Sequence, residues 1–313
     1  MGRMSFVLRR LALLVPTAVG VTIITFFMVH LIPGNPAVTI LGQRANPSTV
    51  ATLDGQLGLN QALIEQYWLF IDRLFHGNLG ESLYYQVPVS GLITSHLPAT
   101  LWLLCYAAVI AVLISVPLAT LAASRKDAVR DHVVRVVPLL GLGMPAFWLG
   151  LILQTWLGTK VRLFPVTGYG QGFAGHLRYM FLPALTVAVA LCPVLIRSLR
   201  ASMLGVLGAD FVTTARAKGV PTPRLLVRHV LRNAVIPAVT VLGINIGYLI
   251  GGTLIVEQVF AIPGLGSMVV NAAIAKDFPV VQGVVLVMVT MVIVTNLAVD
   301  ALCRMLDPRI ARA

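Results

Sequence analysis

Long apolar stretches constrain this chain more than any other feature of its sequence. Crossing about 30 Å of hydrocarbon takes roughly 20 apolar residues in a helix, and six stretches reach or approach that length. A bilayer offers the backbone no water to bond, and a helix satisfies its backbone hydrogen bonds within the segment itself. The stretches therefore predict an all-α integral membrane protein with six transmembrane helices. They are residues 11–32, 97–123, 136–158, 181–196, 234–260 and 280–302.

The fourth stretch is short and holds Pro183 and Pro193. Proline is tolerated in a membrane helix where neighbouring groups satisfy the freed carbonyls, so the stretch is kept as a span. The first stretch follows Arg9 and Arg10, which leaves a cleaved signal peptide or a twin-arginine export signal as alternatives. Its apolar run exceeds that of a signal peptide and no A-x-A cleavage site follows, which favours a retained first helix.

Composition agrees with a membrane protein. Charged residues make up 11% of the chain, against roughly 25% in a soluble domain. The net charge of +12 would suit a nucleic-acid-binding protein, but no soluble domain of useful size is present to carry a basic face. The charge is better explained by membrane topology.

The distribution of Lys and Arg predicts the orientation. With both termini in the cytoplasm, the cytoplasmic segments hold three, four, seven and three of these residues, and the outer segments hold two, three and one. Positive charge concentrates on the cytoplasmic side of membrane proteins, so this bias predicts an N-in, C-in topology. The predicted organisation is residues 1–32 as the N-terminus and first helix, 33–96 as an extracytoplasmic insertion, 97–302 as the core with a cytoplasmic loop at 197–233, and 303–313 as a cytoplasmic tail.

Catalytic and cofactor motifs are missing from the sequence. A P-loop needs a lysine followed by Ser or Thr, and none of Lys126, Lys160, Lys218 and Lys276 has that neighbour. The three cysteines are widely spaced and the histidines form no His-x-x-x-His cluster, so no metal site is expected. With no nucleophile and base in a recognisable arrangement, the chain is expected not to be an enzyme and to carry no cofactor.

The segment "TTARAKGVPTPRLLVRHVLRN", residues 213–233, is basic and contains no acid. Ala215 and Ala217 lead to Gly219, which permits a sharp change of direction, and the prolines that follow suit the first turn of a new helix. The pattern predicts a helix, a turn and a second helix carrying Arg224 and Arg228. These charges either serve topology alone or form part of a docking element for a soluble partner.

The fifth stretch carries two faces. Gly243, Gly247 and Gly251 recur at four-residue spacing, which allows another helix to approach closely. Asn245, Tyr248 and Gly252 fall on the opposite side of the helix. This second face either lines a translocation path or bonds to neighbouring helices, since polar side chains commonly bridge membrane helices.

The basic segment resembles the cytoplasmic EAA loop by which permease subunits of bacterial ABC importers bind their ATPases. Thr214-Ala215-Arg216-Ala217-Lys218-Gly219, followed by His229-x-x-Arg232-Asn233-Ala234-x-x-Pro237, is similar to peptide and nickel permeases of the DppB/OppB type. Thr213 stands where the wider family has glutamate, as is usual in the peptide branch. Further similar motifs, in order, are "HLIPGNP", "LPATLWL", "MPAFWLGL", "VEQVFAIPGLG" and "VDALCRMLDPRI".

The resemblance implies a type I ABC importer permease for short peptides, with the long insertion after helix 1 helping to receive a substrate-binding protein. It implies a second permease and two ATPase subunits as partners, with the path between the two permeases. Residues expected to couple to the ATPases are Ala215, Ala217, Lys218, Gly219, Arg224 and Arg228. Peptide, nickel and glutathione permeases share these motifs, so all three cargoes remain open. A secondary transporter, the alternative of another class, would show midplane ionisable residues and internal repeats, and neither is clear.

Overall fold

The computed structural model describes residues 16–17, 19–27, 36–41, 45–58, 60–124 and 126–306. Within these ranges the regular structure is helical, and residues Glu81 and Pro88 form an isolated β-bridge. Residues 19–27 are helical. In chain order, the further helices are α1 (Pro36–Leu41), α2 (Pro47–Leu57), α3 (Leu63–Phe75), α4 (Val89–Ser124), α5 (Val129–Gly143), α6 (Ala146–Leu153), α7 (Gly172–Tyr179), α8 (Phe181–Leu207), α9 (Asp210–Ala217), α10 (Thr222–Arg224), α11 (Arg232–Val259), α12 (Leu265–Ile274) and α13 (Phe278–Leu306). Two π-helical stretches, Gln154–Lys160 and Leu225–Leu231, continue α6 and join α10 to α11.

Four helical segments in the described ranges are long and apolar enough to cross a membrane: Val89–Ser124, Phe181–Leu207, Thr222–Gly247 and Phe278–Cys303. A bent pair, Val129–Gly141 with Ala146–Lys160, makes a fifth if the pair counts as one span. The first predicted span, 11–32, lies partly outside the described residues. The all-α membrane architecture is confirmed, and the count of six helices stays a prediction.

The third span differs from its prediction. Residues 136–158 were expected to form one helix, but the chain breaks at Met144 and Pro145 and turns by 97°. Met144 is extended, at φ −92° and ψ 125°, because proline disfavours helical backbone in the residue that precedes it. The helical structure also starts earlier than predicted, at Val129.

The fourth span was predicted too short. α8 continues eleven residues beyond 196 and ends at Leu207, so Arg197 and Arg200 lie in a helix and not in the loop assigned to 197–233. Pro183 costs little, because it stands in the first turn, where backbone N–H groups have no helical acceptor. The extension is held by burial, since Leu199 and Met203 are 2% and 0% exposed.

The chain divides into two compact units, of which the larger contains residues 99–263 and 292–313. Its core is centred on α8, and buried side chains from α4, α5, α9 and the π-helical stretch 225–231 join the same cluster. Alanines make up most of the α4 contribution, among them Ala107 and Ala111, and α8 adds Ala184 and Ala188 among larger side chains. Small side chains let membrane helices approach closely, which is how such a bundle packs without a hydrophobic driving force between helices.

The smaller unit contains residues 1–98 and 264–291. Its core joins the first residues of α4 to α12 and the start of α13, through side chains such as Val89, Leu265 and Val284. α4 begins at Val89, eight residues before the predicted start at 97. α12 begins within "IPGLG" (residues 262–266), at Leu265, and its first turn is capped by mutual bonds between Gly264 and the Ser267 hydroxyl.

Asp277 fastens the residues before α4 to the start of α13. Its carboxylate accepts hydrogen bonds from the Ser82 hydroxyl, from the Leu83 N–H at 3.0 Å and from the Tyr84 N–H at 3.2 Å. Asp277 is 1% exposed and its own carbonyl accepts the Val281 N–H, so it stands at the N-terminal end of α13. A carboxylate there is also favoured by the helix dipole. The Val89 N–H donates to the Gly80 carbonyl at 3.0 Å, which closes residues 80–89 into a small turn.

Candidate coupling and translocation sites

The basic segment is built around the end of α9. The Gly219 N–H donates to the Arg216 carbonyl at 2.9 Å, and the Val220 N–H donates to the Ala215 carbonyl at 3.2 Å. This pair of bonds is the Schellman arrangement, which requires a left-handed residue after the helix cap. Gly219 has φ +76°, as the sequence predicted for the corner. Lys218 is the cap residue of α9.

The next helix begins immediately after this corner. Pro221 is extended, at φ −64° and ψ 142°, and its carbonyl accepts the Leu225 N–H at 3.0 Å. Pro223 occupies the first turn of α10, where its missing N–H costs no helical bond. The predicted helix, turn and helix are present.

The boundary predicted after this segment differs: the second helix does not end in a loop before a fifth span at 234. α10 runs through the π-helical stretch Leu225–Leu231 into α11, and Thr222–Gly247 forms a single candidate span. Single π-helical turns commonly occur at functional sites. The corner at Gly219 is therefore only three residues from the start of a membrane span.

The segment has a buried face and an exposed face. Val212, Leu225 and Val230 are 0%, 1% and 0% exposed and belong to the core of the larger unit. Ala215 is half-buried against the same core, while the remaining predicted coupling residues are exposed: Ala217, Lys218, Gly219, Arg224 and Arg228. The segment is thus seated on the bundle and presents its basic side outward. No acid in the described ranges lies within ion-pair distance of these basic side chains.

A groove of about 580 Å³ adjoins the exposed face. The Asn233 amide donates to the His229 carbonyl at 2.7 Å, which fixes its orientation on the helix. Phe211 and Met305 are 47% and 80% exposed, so apolar surface lies beside the basic groups. Exposed apolar surface rimmed by polar groups is typical of protein interaction sites. The groove is lined by Phe211, Arg228, His229, Arg232, Asn233, Ile236 and Met305.

An ion pair that the sequence did not reveal lies between α5 and α8. Arg200 donates through Nε to Asp131 Oδ1 and through Nη2 to Oδ2, both at 2.6 Å. The Asp127 N–H donates to the same carboxylate at 3.0 Å, and Arg135 Nε lies 3.7 Å from Oδ1. Asp131 is completely buried. A bidentate arginine with a further amide donor satisfies most of the acceptor capacity of a buried carboxylate.

The glycine face of α11 packs as predicted over part of its length. A Cβ at Gly243 would overlap the Val299 side chain, and one at Gly247 would lie 3.4 Å from Val292 Cγ1, so both glycines are in close contact with α13. Gly251 is exposed, and no described atom lies within 4 Å of the position that a Cβ would take there. Close helix approach therefore accounts for two of the three glycines.

The opposite face of α11 was predicted to line the translocation path. Asn245 is half-buried, and its amide donates to the Val241 carbonyl of its own helix at 2.7 Å. Gly252 is exposed, and the side chain of Tyr248 lies outside the described side chains. The Asn245 amide thus bonds within its own helix, and the path itself stays a prediction.

Glu257 near the end of α11 is a further buried acid that sequence reasoning missed. It accepts a hydrogen bond from the Thr100 hydroxyl at 2.8 Å, and both residues are 0% exposed. The acid falls within "VEQVFAIPGLG", one of the motifs that carry the resemblance. Ionisable side chains buried in membrane helices are rare and commonly functional, so an acid within this apolar stretch could have been recognised from the sequence as a candidate functional residue.

Comparison with known proteins places these features in a family. The family model described as "Binding-protein-dependent transport system inner membrane component" matches residues 115–312, and the model for the N-terminal part of such components matches residues 3–104. The dipeptide transport system permease protein DppB of Escherichia coli (strain K12) is 36% identical, over 98% of each chain. The glutathione transport system permease protein GsiC of Salmonella choleraesuis (strain SC-B67) is 37% identical, over 98% of this chain and 99% of that protein.

Among solved structures, the MetNI methionine ABC transporter in an inward-facing conformation is similar in fold. The TM-score is 0.58 at 17% identity, covering 69% of this chain and 96% of that chain.

Proposed function

We propose a role in peptide import from one premise: the chain belongs to the family of binding-protein-dependent transport system inner membrane components. Members of this family are multi-pass membrane permeases and not enzymes, and they work with ATPase and substrate-binding partners. The proposal must also specify the cargo, the orientation in the membrane, the number of partner subunits and the residues that couple this chain to the ATPases.

Short peptides are the proposed cargo. Relatives of this chain include permeases named for dipeptides, D,D-dipeptides and glutathione, itself a small peptide. Each aligns with this chain over nearly its full length, so the match covers the insertion as well as the core. A nickel permease of the same family is the alternative cargo class, and an autonomous secondary transporter is the alternative mechanism.

We propose six spans with both termini in the cytoplasm, as the Lys and Arg distribution favours. A second, related permease completes the complex, and the peptide passes between the two permeases past Asn245, Tyr248 and Gly252. Residues 33–96 lie outside and receive the binding protein. Among the described parts of this region, Trp68 on α3 and Tyr84 in the turn before α4 are 64% and 68% exposed and offer aromatic contact surface.

The observation that carries the proposal is the direct connection of the basic corner to a membrane span. One of the two ATPases binds the exposed face formed by Ala217, Lys218, Gly219, Arg224 and Arg228, and Ala215 seats this face on the core. Because α10 continues into α11, a displacement of the corner moves the span itself. ATP-driven closure of the ATPases can in this way alternate access to the path.

Reconstitution tests this function. The complete complex in lipid vesicles, with binding protein outside and ATP inside, is expected to accumulate a labelled dipeptide. The chain alone is expected to show no ATP hydrolysis and no uptake driven by a proton or sodium gradient. Gradient-driven uptake by the isolated chain would establish the secondary transporter instead, and uptake of nickel in preference to dipeptide would change the cargo.

Orientation is tested separately by cysteine labelling in a variant without the native cysteines. Asn60→Cys and Asn78→Cys, at exposed positions of the insertion, are expected to react with an impermeant maleimide from outside. Lys126→Cys, exposed between α4 and α5, is expected to react only after the membrane is opened. The reverse pattern would invert the topology.

A further inference from the structure

A cleft of about 570 Å³ lies between α5 and the second half of α8. It is separate from the basic groove beside the corner and shares no lining residue with it. Its polar end holds His132, Arg135, Arg197 and Arg200, and its apolar end holds aliphatic side chains and two prolines. The apolar lining residues are Val134, Val136, Pro138, Leu139, Pro193 and Ile196.

The polar end carries more positive charge than the protein itself neutralises. Arg135 and Arg200 both approach the Asp131 carboxylate, at 3.7 Å and 2.6 Å, so one acid is shared by two guanidinium groups. Arg197 lies three residues before Arg200 on the same helix, which places the two on one side of α8. Arg197 is exposed, and no acid of the described ranges lies within ion-pair distance of it. A cationic site with unused guanidinium donors results.

The apolar end continues onto a surface that suits hydrocarbon. Val136 and Leu139 line the cleft and are 58% and 41% exposed. Beside them on α5, Val137 and Leu140 are 56% and 61% exposed. A run of exposed aliphatic side chains on a membrane helix is the surface that acyl chains cover.

We propose that this cleft binds an anionic phospholipid, with the phosphate at Arg135 and Arg197 and the acyl chains along the aliphatic lining. Arginine binds phosphate through paired N–H donors, and basic pockets between membrane helices on the cytoplasmic side are known to hold anionic headgroups. Charge complementarity favours an anionic occupant at the polar end, and the aliphatic lining gives a lipid an advantage over a free phosphate. Arg200 stays in its pair with Asp131 and positions α8 against α5. The proposed orientation decides only which leaflet the lipid comes from. Lipid binding by the chain in detergent therefore does not depend on the transport function.

The test uses the purified full-length chain, stripped of lipid in detergent and titrated with phosphatidylglycerol, with binding followed by native mass spectrometry and thermal shift. The double variant Arg135→Gln/Arg197→Gln is expected to bind phosphatidylglycerol about tenfold more weakly than the wild type, a loss of about 1.4 kcal/mol. The matched control Lys126→Gln/Arg178→Gln also removes two positive charges, from positions outside the cleft, and is expected to bind as the wild type does. Arg197→Gln alone is measured as well, because Arg197 has no described ionic partner and its loss leaves the fold unstrained.

Two further probes separate the sources of the phosphate. Phosphatidylcholine, which is zwitterionic, is expected to bind the wild type and the double variant equally. Inorganic phosphate at the same concentration is expected to give no thermal shift. Equal phosphatidylglycerol binding by wild type, double variant and Arg197→Gln would overturn the proposal, and so would a thermal shift with inorganic phosphate as large as that with the lipid.

A protein occupant is the remaining outcome. In the assembled complex, Leu139→Cys is expected to be protected from a maleimide by added phosphatidylglycerol and to form no cross-link with the second permease. A cross-link from this position to the second permease would make the cleft a subunit interface and would overturn the lipid assignment. A wild-type complex that binds phosphatidylglycerol but takes up no peptide would refute the proposed function and leave this inference standing.

Discussion

Replacing Gly219 tests whether the corner couples the ATPases to the membrane span. The residue has φ +76°, and no described atom lies within 4 Å of the position a Cβ would take. A substitution therefore meets no steric barrier from neighbouring side chains, and its cost comes from the backbone alone. Left-handed backbone costs a residue other than glycine about 1–2 kcal/mol.

The strain has a specific local consequence. To escape it, the chain must leave the left-handed region, which breaks the two bonds that end α9, from the Gly219 and Val220 amides. Each such bond contributes about 1 kcal/mol, so staying strained and leaving the region cost similar amounts. Strain of 1–2 kcal/mol raises the open fraction of the corner by roughly 5- to 30-fold. Asparagine tolerates left-handed backbone, alanine less so, and a β-branched valine least.

We expect the order Gly219→Asn, Gly219→Ala, Gly219→Val for increasing loss of dipeptide uptake and of ATPase co-purification. Hydrogen exchange at the Val220 amide is expected to rise in the same order, while amides in the middle of α8 stay protected. Gly205→Ala is the matched control, because Gly205 is exposed in the helical backbone of α8 with no described atom within 4 Å of its Cβ position. Alanine there is expected to stabilise by about 0.5–1 kcal/mol.

The coupling argument fails if Gly219→Val exchanges its Val220 amide faster but retains wild-type uptake and ATPase recovery. In that case the corner opens without consequence, and the segment serves topology. It also fails if Gly205→Ala loses as much uptake as Gly219→Ala, since loss of flexibility in general would then explain both.

Three further predictions concern stability, measured as the free energy of unfolding in detergent micelles. Asp131→Asn is expected to cost about 3 kcal/mol or more, because it leaves a mostly buried guanidinium without its charge partner; Asp127→Asn, an exposed acid nearby, is expected to stay within about 0.5 kcal/mol of wild type. Equal effects of these two variants would refute the structural role of the buried pair. Asp277→Ala removes the carboxylate that accepts three hydrogen bonds and is expected to lower the free energy of unfolding by about 3 kcal/mol. A loss below about 1 kcal/mol would show that the turn before α4 is held by packing. Gly243→Ala is expected to cost about 1–3 kcal/mol by forcing α13 away, and Gly251→Ala, with open space around it, is expected to be tolerated; the reverse order would refute the glycine contact.

Local signals allowed part of this structure to be predicted. Gly219 followed by two prolines specifies a helix end and a new helix within a few residues, and the structure confirms the left-handed glycine. The apolar stretches likewise gave both ends of the sixth span and the end of the second to within two residues, whereas the second and fifth spans begin eight and twelve residues before their predicted starts. Both features depend on residues close in sequence, where backbone conformation and hydrophobic length decide the outcome.

Other features depend on contacts between residues far apart in the chain, which local sequence patterns do not reveal. The apolar stretch predicted for α8 stops at 196, before Arg197 and Arg200, but Arg200 pairs with an acid 69 residues earlier in the chain and the helix continues to Leu207. Asp277 and Ser82 are 195 residues apart, so periodicity cannot connect them. Pro145 fits a kinked span as well as a broken one, and only the packing around it decides.

The same long-range pair determines how a movement at the corner would spread. α8 ends at Leu207 and α9 begins at Asp210, so two residues, Gly208 and Ala209, separate α8 from α9, in which the basic segment begins. On the other side it enters the next span at Thr222. A force on the corner therefore acts on two membrane helices at once.

Through Asp131, a movement of α8 is expected to reach a third helix, α5. Its two-bond contact with Arg200 joins α5 to the part of α8 closest to the corner, and α5 in turn ends at the sharp bend before Pro145. Because the ion pair fixes one end of α5 to α8 and the chain bends at the other end, we expect α5 to move with α8. Arg200→Lys, which keeps the charge but loses the paired donors, is expected to fold and to bind the ATPases while uptake falls, since lysine cannot hold the carboxylate in a fixed geometry. Uptake by Arg200→Lys equal to that of the wild type would show that α5 does not need this link to follow α8.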